Sequence, residues 1–204
     1  IARELGDKKG ISTRLNNIGL IYKSKFEYDK AISCFKQAEE IDQALGDKQG
    51  IFVDLNNIGL ILRVKGKNEE AFEHFKKSEE LARSLEDKAT ISSTLNNMAL
   101  IHEEQKNYDK AILFYKEAIK IAHSIGDKEN IRIYLTNLGQ TYSTLKQYNE
   151  AITCYQEAKE IDILIGDKNG IANRLNNIGL IYKNMGNYQE AIEILSKSIE
   201  LART

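Results

Sequence analysis

The sequence predicts an all-α solenoid of five helix-turn-helix repeats, on three observations. A near-constant octapeptide returns every 40 residues: LNNIGLIY at Leu15–Tyr22, LNNIGLIL at Leu55–Leu62, LNNMALIH at Leu95–His102, LTNLGQTY at Leu135–Tyr142 and LNNIGLIY at Leu175–Tyr182. A fixed period in this range marks a stacked array. Inside each unit the apolar residues follow helical spacing. Between units an Asp-Lys pair recurs at one phase, beginning at Asp7, Asp47, Asp87, Asp127 and Asp167. The repeats fall at about residues 6–45, 46–85, 86–125, 126–165 and 166–204, in a single array over 1–204.

The first repeat sets the pattern for the others. Asp7 is placed to cap the first helix, its carboxylate accepting from first-turn N–H groups. Ile11, Leu15, Ile18 and Tyr22 then fall at i, i+4, i+7 and i+11, one face of a helix over Lys8–Lys25. The tract KFEYDKA interrupts that pattern. A second helix over Tyr28–Leu45 carries the stripe Ala31, Phe35, Ala38 and Ile41. Each helix is ~27 Å long. Gly46 supplies the left-handed residue that ends it, and Asp47 opens the next unit. Neither helix can bury its face alone, so stacking supplies the core. Gly19, Gly59, Ala99, Gly139 and Gly179 share one column in the middle of the first helix. Glycine there costs about 1 kcal/mol relative to alanine, so the column predicts close helix contact. Ahead of the first repeat, IARELGDK matches the helix ends LARSLEDK and IAHSIGDK. Residues 1–5 therefore read as the tail of a preceding repeat in a longer parent, forming a short stub laid over repeat one. At the other end, the last helix carries Ile192, Leu195, Ile199 and Leu201 without a following repeat, which predicts self-association through that helix.

Composition excludes several functions. Lys+Arg number 29 against 30 Asp+Glu, a net charge of −1, whereas nucleic-acid binding needs a basic excess or stripe. No apolar run reaches membrane-spanning length and no signal peptide is visible. Cys34 and Cys154 occupy one column three repeats apart, out of disulfide reach in a stack. Free thiols suit a reducing, cytoplasmic setting. His74 shares that column, but same-column residues of successive repeats cannot converge on one ion. HEEQK at His102–Lys106 lacks the second histidine of a zinc-protease helix, and no Walker loop, GxGxxG or CxxC occurs. No catalytic residue, metal site or cofactor is expected, and the chain is not read as an enzyme.

The repeat resembles the tetratricopeptide repeat. Leu15, Ile18-Gly19 and Tyr22 match the first-helix pattern, and Ala31, Phe35 and Ala38 match the second. The later units give Ala71, Phe75, Ser78; Ala111, Tyr115, Ala118; Ala151, Tyr155, Ala158; and Ala191, Leu195, Ser198. The unit is 40 residues long where the family's is 34, and the closing proline is missing. The longer unit with its GDK junction is similar to the variant in Pins-type adaptors, kinesin light chains and prokaryotic signalling proteins. The resemblance implies a right-handed superhelix whose first helices line a concave groove that binds a peptide segment of a partner protein.

On that resemblance the groove carries the column Asn17, Asn57, Asn97, Asn137 and Asn177, and beside it Asn16, Asn56, Asn96, Thr136 and Asn176. Asparagine is a mediocre helix former, and its amide offers donors and an acceptor to an extended main chain. Peptide-binding relatives use such a ladder. The other reading has these amides bonding adjacent helices. One turn on, Leu20, Leu60, Leu100, Gln140 and Leu180 either line the groove or pack between first helices. The next column, Lys23, Arg63, Glu103, Ser143 and Lys183, changes sign, so no uniformly charged ligand is indicated. Relatives that grip acidic tails need Lys or Arg where Asn16, Asn57 and Asn97 stand. Alternatives to a peptide-binding module are a regulatory or sensor segment of a larger signalling protein and a self-assembling structural array.

Overall fold

The computed structural model describes the backbone of residues 2–203 and the side chains from Asp7 to Arg203. Among them are ten α-helices and no strand: α1 (Ala2–Ser24), α2 (Tyr28–Leu45), α3 (Lys48–Val64), α4 (Asn68–Ser84), α5 (Lys88–Glu104), α6 (Tyr108–Ile125), α7 (Lys128–Thr144), α8 (Tyr148–Ile165), α9 (Lys168–Asn184) and α10 (Tyr188–Ala202). Two compact units divide inside α5, Ile1–Ile101 and His102–Thr204. In the first, α1 packs on α2, α2 on α3 and α3 on α4; in the second, α6 packs on α7, α7 on α8, α8 on α9 and α9 on α10.

Small residues set the spacing of each helix pair. Ala31, Ala71, Ala111, Ala151 and Ala191 are all buried, as are Ala38, Ser78, Ala118 and Ala158 two turns on. Where serine replaces alanine it finds a backbone acceptor: Ser78 Oγ donates to the Phe52 carbonyl at 3.0 Å and Ser198 Oγ to that of Ala172 at 2.7 Å. The glycine column has a direct steric cause. A Cβ at Gly19 or Gly59 would stand 2.7 Å from the ring of Phe35 or Phe75, and at Gly139 3.0 Å from the ring of Tyr155. In these pairs the second helix thus drives a large side chain into the first where that helix has none, and in the third pair Ala99 brings only a methyl.

The Asp caps hold at four junctions. Asp47, Asp127 and Asp167 accept from the N–H of Gly50, Asn130 and Gly170, and Asp87 from that of Thr90. The fifth fails. α1 runs unbroken from Ala2, so Asp7 lies inside a helix and the expected separate stub is an extension of α1. Its neighbours' N–H groups are already spent on the helix ladder, leaving no first-turn donor to cap. Where Ile1–Leu5 lay their side chains is outside the described residues. The expected core stripe is also thinner in the first repeat. Ile11 and Ile18 remain 42% and 43% exposed, whereas Ile91, Leu95 and Met98 and Ile131, Leu135 and Leu138 are buried. A first helix is covered on one side by its own partner and on the other by the preceding second helix, and α1 has no described helix on that side.

Candidate functional site

The first unit holds an open pocket between α1, α2 and α3 with a volume of about 330 Å³. Asn16, Asn17 and Asn57, three of the expected groove residues, line it with Leu20 and Val53. Asn17 is exposed; Asn16 and Asn57 are half-buried. Helix periodicity is what gathers them: i and i+1 in α1, and the equivalent of i+1 in α3, face one side of the pair. Leu20 and Leu180 are 41% and 44% exposed, Leu60 and Leu100 half-buried, so this column is neither a closed core nor a fully bare patch.

The asparagines do not all point outward to solvent. Asn97 Nδ2 donates to Asn56 Oδ1 at 3.2 Å, tying α5 to α3. Asn96 is buried at 8% exposure. One amide of each column is thus engaged between first helices, while Asn17 and Asn57 stand on the pocket side. In the second unit Asn137 and Asn177 are half-buried and Asn176 exposed. Gln140 is exposed, and its Oε1 lies 3.4 Å from the Tyr155 hydroxyl. Arg63 and Ser143 are half-buried in their column.

Buried carboxylates and the arginines beside them, drawn from three columns, escaped the sequence reading. Asp162 is completely buried. Arg174 Nε donates to its Oδ2 at 3.2 Å, and Arg132 Nη1 stands 3.2 Å from its Oδ1 and 3.1 Å from Asp167 Oδ2, while Glu129 pairs with the same guanidinium. Burial pushes the Asp162 carboxyl up, against the pull of Arg174 and Arg132. Asp42 is the same column's residue in repeat one, 3% exposed, and accepts from Ser12 Oγ at 2.8 Å. Behind it lies Asp54, fully buried, neither oxygen of which has a hydrogen-bond partner. Burial pushes Asp54 up to about 7; the Asn16 amide opposes this, and the Asp42 and Glu39 charges reinforce it. At the rim Lys9 Nζ bonds Asp47 Oδ2 at 2.8 Å and holds that carboxyl below its ordinary range. The signal was present in the sequence: aspartate interrupts the column at 42 and 162 where 82 and 122 carry alanine.

Both cysteines are free and buried, and burial pushes the Cys154 thiol up to about 11, which keeps it protonated. Among the described residues no group of three or more His, Cys, Asp or Glu could hold a metal ion, and no helix is long and apolar enough to cross a membrane.

Comparison with known proteins places this architecture. Among curated proteins none matches the sequence significantly. Among solved structures, BtubC (BKLC) from P. vanneervenii aligns with a TM-score of 0.84 at 15% identity, over 99% of this chain and 91% of that one. A signal transduction ATPase with numerous domains from Pyrococcus horikoshii, described with a tetratricopeptide repeat sensor, aligns at 0.85 and 21% identity, over 97% of this chain and 31% of that one. Aspartyl phosphate phosphatase F from Bacillus subtilis aligns at 0.78 and 14%, over 97% and 61%. At these identities the likeness is one of fold. Sequence profiles carry it further: those of the tetratricopeptide repeat match residues 13–45, 54–124 and 125–204, and the chain belongs to that family.

Proposed function

We propose that this chain is a non-catalytic interaction module that binds an extended peptide segment of a partner protein along its first-helix faces. The observation that carries the reading is the pocket of about 330 Å³ where Asn16, Asn17 and Asn57 stand beside Leu20 and Val53. Amides that both donate and accept suit a peptide main chain, and the two aliphatic residues give a side chain an apolar seat. The same columns carry Asn97, Leu60 and Leu100 in the first unit and Asn137, Asn177 and Gln140 in the second. Two free, buried thiols fit a cytoplasmic setting. A regulatory role within a larger protein is the second reading. It is favoured by the fold shared with an ATPase that is described with a repeat sensor, of which the matched part is 31%. The test is a peptide-display selection on the whole chain, followed by Asn17→Ala with Asn57→Ala. We expect about a tenfold or greater loss of affinity for the selected peptide with the unfolding midpoint retained. Unchanged affinity would return these amides to a role in stacking alone.

A further inference from the structure

The chain contains two versions of one three-residue joint between a second helix and the first helices flanking it. At the joint of repeats four and five it is Arg132, Asp162 and Arg174. At the joint of repeats one and two, the same columns carry Ser12, Asp42 and Asp54. In the first version two guanidinium groups surround a buried carboxylate. In the second a hydroxyl and another carboxyl do so, and among the described residues no Lys, Arg or His comes within 4.0 Å of Asp42 or Asp54. Lys9, the cation at this rim, is engaged by Asp47 at 2.8 Å.

A buried carboxylate that lacks a counter-charge is costly; it takes up a proton or draws a charge from elsewhere. Here the deficit opens onto a pocket. Asp42 and Ser12 line it, and Asp54 backs Asp42, with both oxygens unpartnered and the Asn16 amide and Asp42 carboxyl as its polar neighbours. The equivalent space in the second unit is where Arg132 brings its side chain to Asp162. Replacing that arginine by Ser12 removes the side chain and its charge together.

We propose that the pocket lined by Ser12 and Asp42, with Asp54 buried behind them, receives the guanidinium of an arginine in a partner peptide, the group that Arg132 and Arg174 supply to Asp162 from within the chain. This deepens the peptide-groove reading and rests on it. A planar fork of donors meets the Asp42 carboxyl and the Ser12 hydroxyl better than a compact ammonium does. The arginine stem lies along Leu20 and Val53, and Asn17 and Asn57 are left to hold the peptide main chain beside it. Lysine binds the same pocket more weakly.

The probe is N-acetyl-arginine N-methylamide, with its neutral citrulline counterpart as control, titrated into the whole 15N-labelled chain. We expect saturable shifts at the amides of Ser12 and Gly50 and the side-chain amides of Asn16 and Asn57, with the citrulline compound at least about tenfold weaker. Asp42→Asn with Asp54→Asn abolishes the response. Ser12→Arg does so too, by filling the pocket from within, and that variant raises the unfolding midpoint, so loss of binding cannot be loss of fold. Equal binding of citrulline, no saturable shift, shifts confined to the second unit, or the same shifts from Mg²⁺ would each overturn the proposal. A selected peptide that depends on Asn17 and Asn57 but ignores Asp42→Asn with Asp54→Asn overturns it and leaves the groove reading standing. An arginine probe that binds while no peptide is captured does the reverse.

Discussion

Gly50→Thr should be harmful alone and harmless beside Asp42→Ala. A Cβ at residue 50 would stand 2.1 Å from Asp42 Oδ2 and 2.5 Å from its Cγ, where 3.4 Å begins ordinary contact. The shortfall lies against a carboxylate anchored by Ser12 Oγ, so Asp42 must swing away and lose that bond. Overpacking of this kind costs about 1–3 kcal/mol, and the bond about 1 kcal/mol more. Threonine returns about 0.4 kcal/mol of helix propensity over glycine. The expected net loss is about 2–3 kcal/mol. Asp42→Ala alone removes a buried carboxylate and strands the Ser12 hydroxyl, two effects that offset one another to within about 1 kcal/mol. In the double variant the new methyl and hydroxyl fill the vacated space. The chain already contains that arrangement: Ala82 precedes Thr90, whose Oγ1 bonds Asp87 Oδ2 at 2.8 Å, and Ala122 precedes Asn130, whose Nδ2 bonds Asp127 Oδ2 at 2.7 Å. Urea unfolding followed by circular dichroism gives the four corners of the cycle. We expect a coupling of about 2 kcal/mol. Additivity to within about 0.5 kcal/mol, or a Gly50→Thr chain as stable as the parent, would refute the steric argument.

Two further outcomes are expected. Asp54, on α3, faces Asn16 of α1 and Asp42 and Glu39 of α2, and its carboxyl is raised from 3.8 to about 7. The folded state therefore holds a proton that the unfolded chain has released, stability falls as pH rises from about 4 through about 7, and Asp54→Asn should flatten this slope and stabilise the chain at pH 8 by on the order of 2 kcal/mol; an unchanged pH slope in urea titrations would count against it. The outer face of α10 leaves Ile192 and Ile199 60% and 53% exposed, so sedimentation should show concentration-dependent association that Ile199→Lys removes; a strictly monomeric parent chain at high concentration would defeat that expectation.

The fold was legible because its period is written at every level: apolar spacing, the glycine column and the Asp-Lys junction all repeat at 40 residues. The limits of that legibility are physical. Translating one repeat along the chain assumes that every copy has the same neighbours. Asp7 has the cap's sequence without the turn before it, and Ile18 has the core's spacing without a described helix to cover it. The asparagine ladder was visible as a column, but a column does not say whether an amide meets solvent or the next helix. Asn97 reaches Asn56, while Asn17 and Asn57 face the pocket. The charged joint was missed for the opposite reason. Its three residues sit in three different columns, so repetition hides them, and only deviation from the repeat marks them.

The glycines facing Asp42 and Asp162 also bear on how such an array can be rearranged. Copies as alike as the first and fifth invite unequal crossing-over between the DNA segments that encode them. A break falling between columns 42 and 50 could join an aspartate-bearing second helix to a first helix that opens with threonine or asparagine. Gly50 and Gly170 show why that union fails, since even a bare Cβ would collide with the carboxylate. The reverse union, alanine meeting glycine, leaves only a small void. Repeats here are therefore one-way interchangeable parts, and insertions or losses should be tolerated where an alanine joint is created and purged where an aspartate meets a larger side chain.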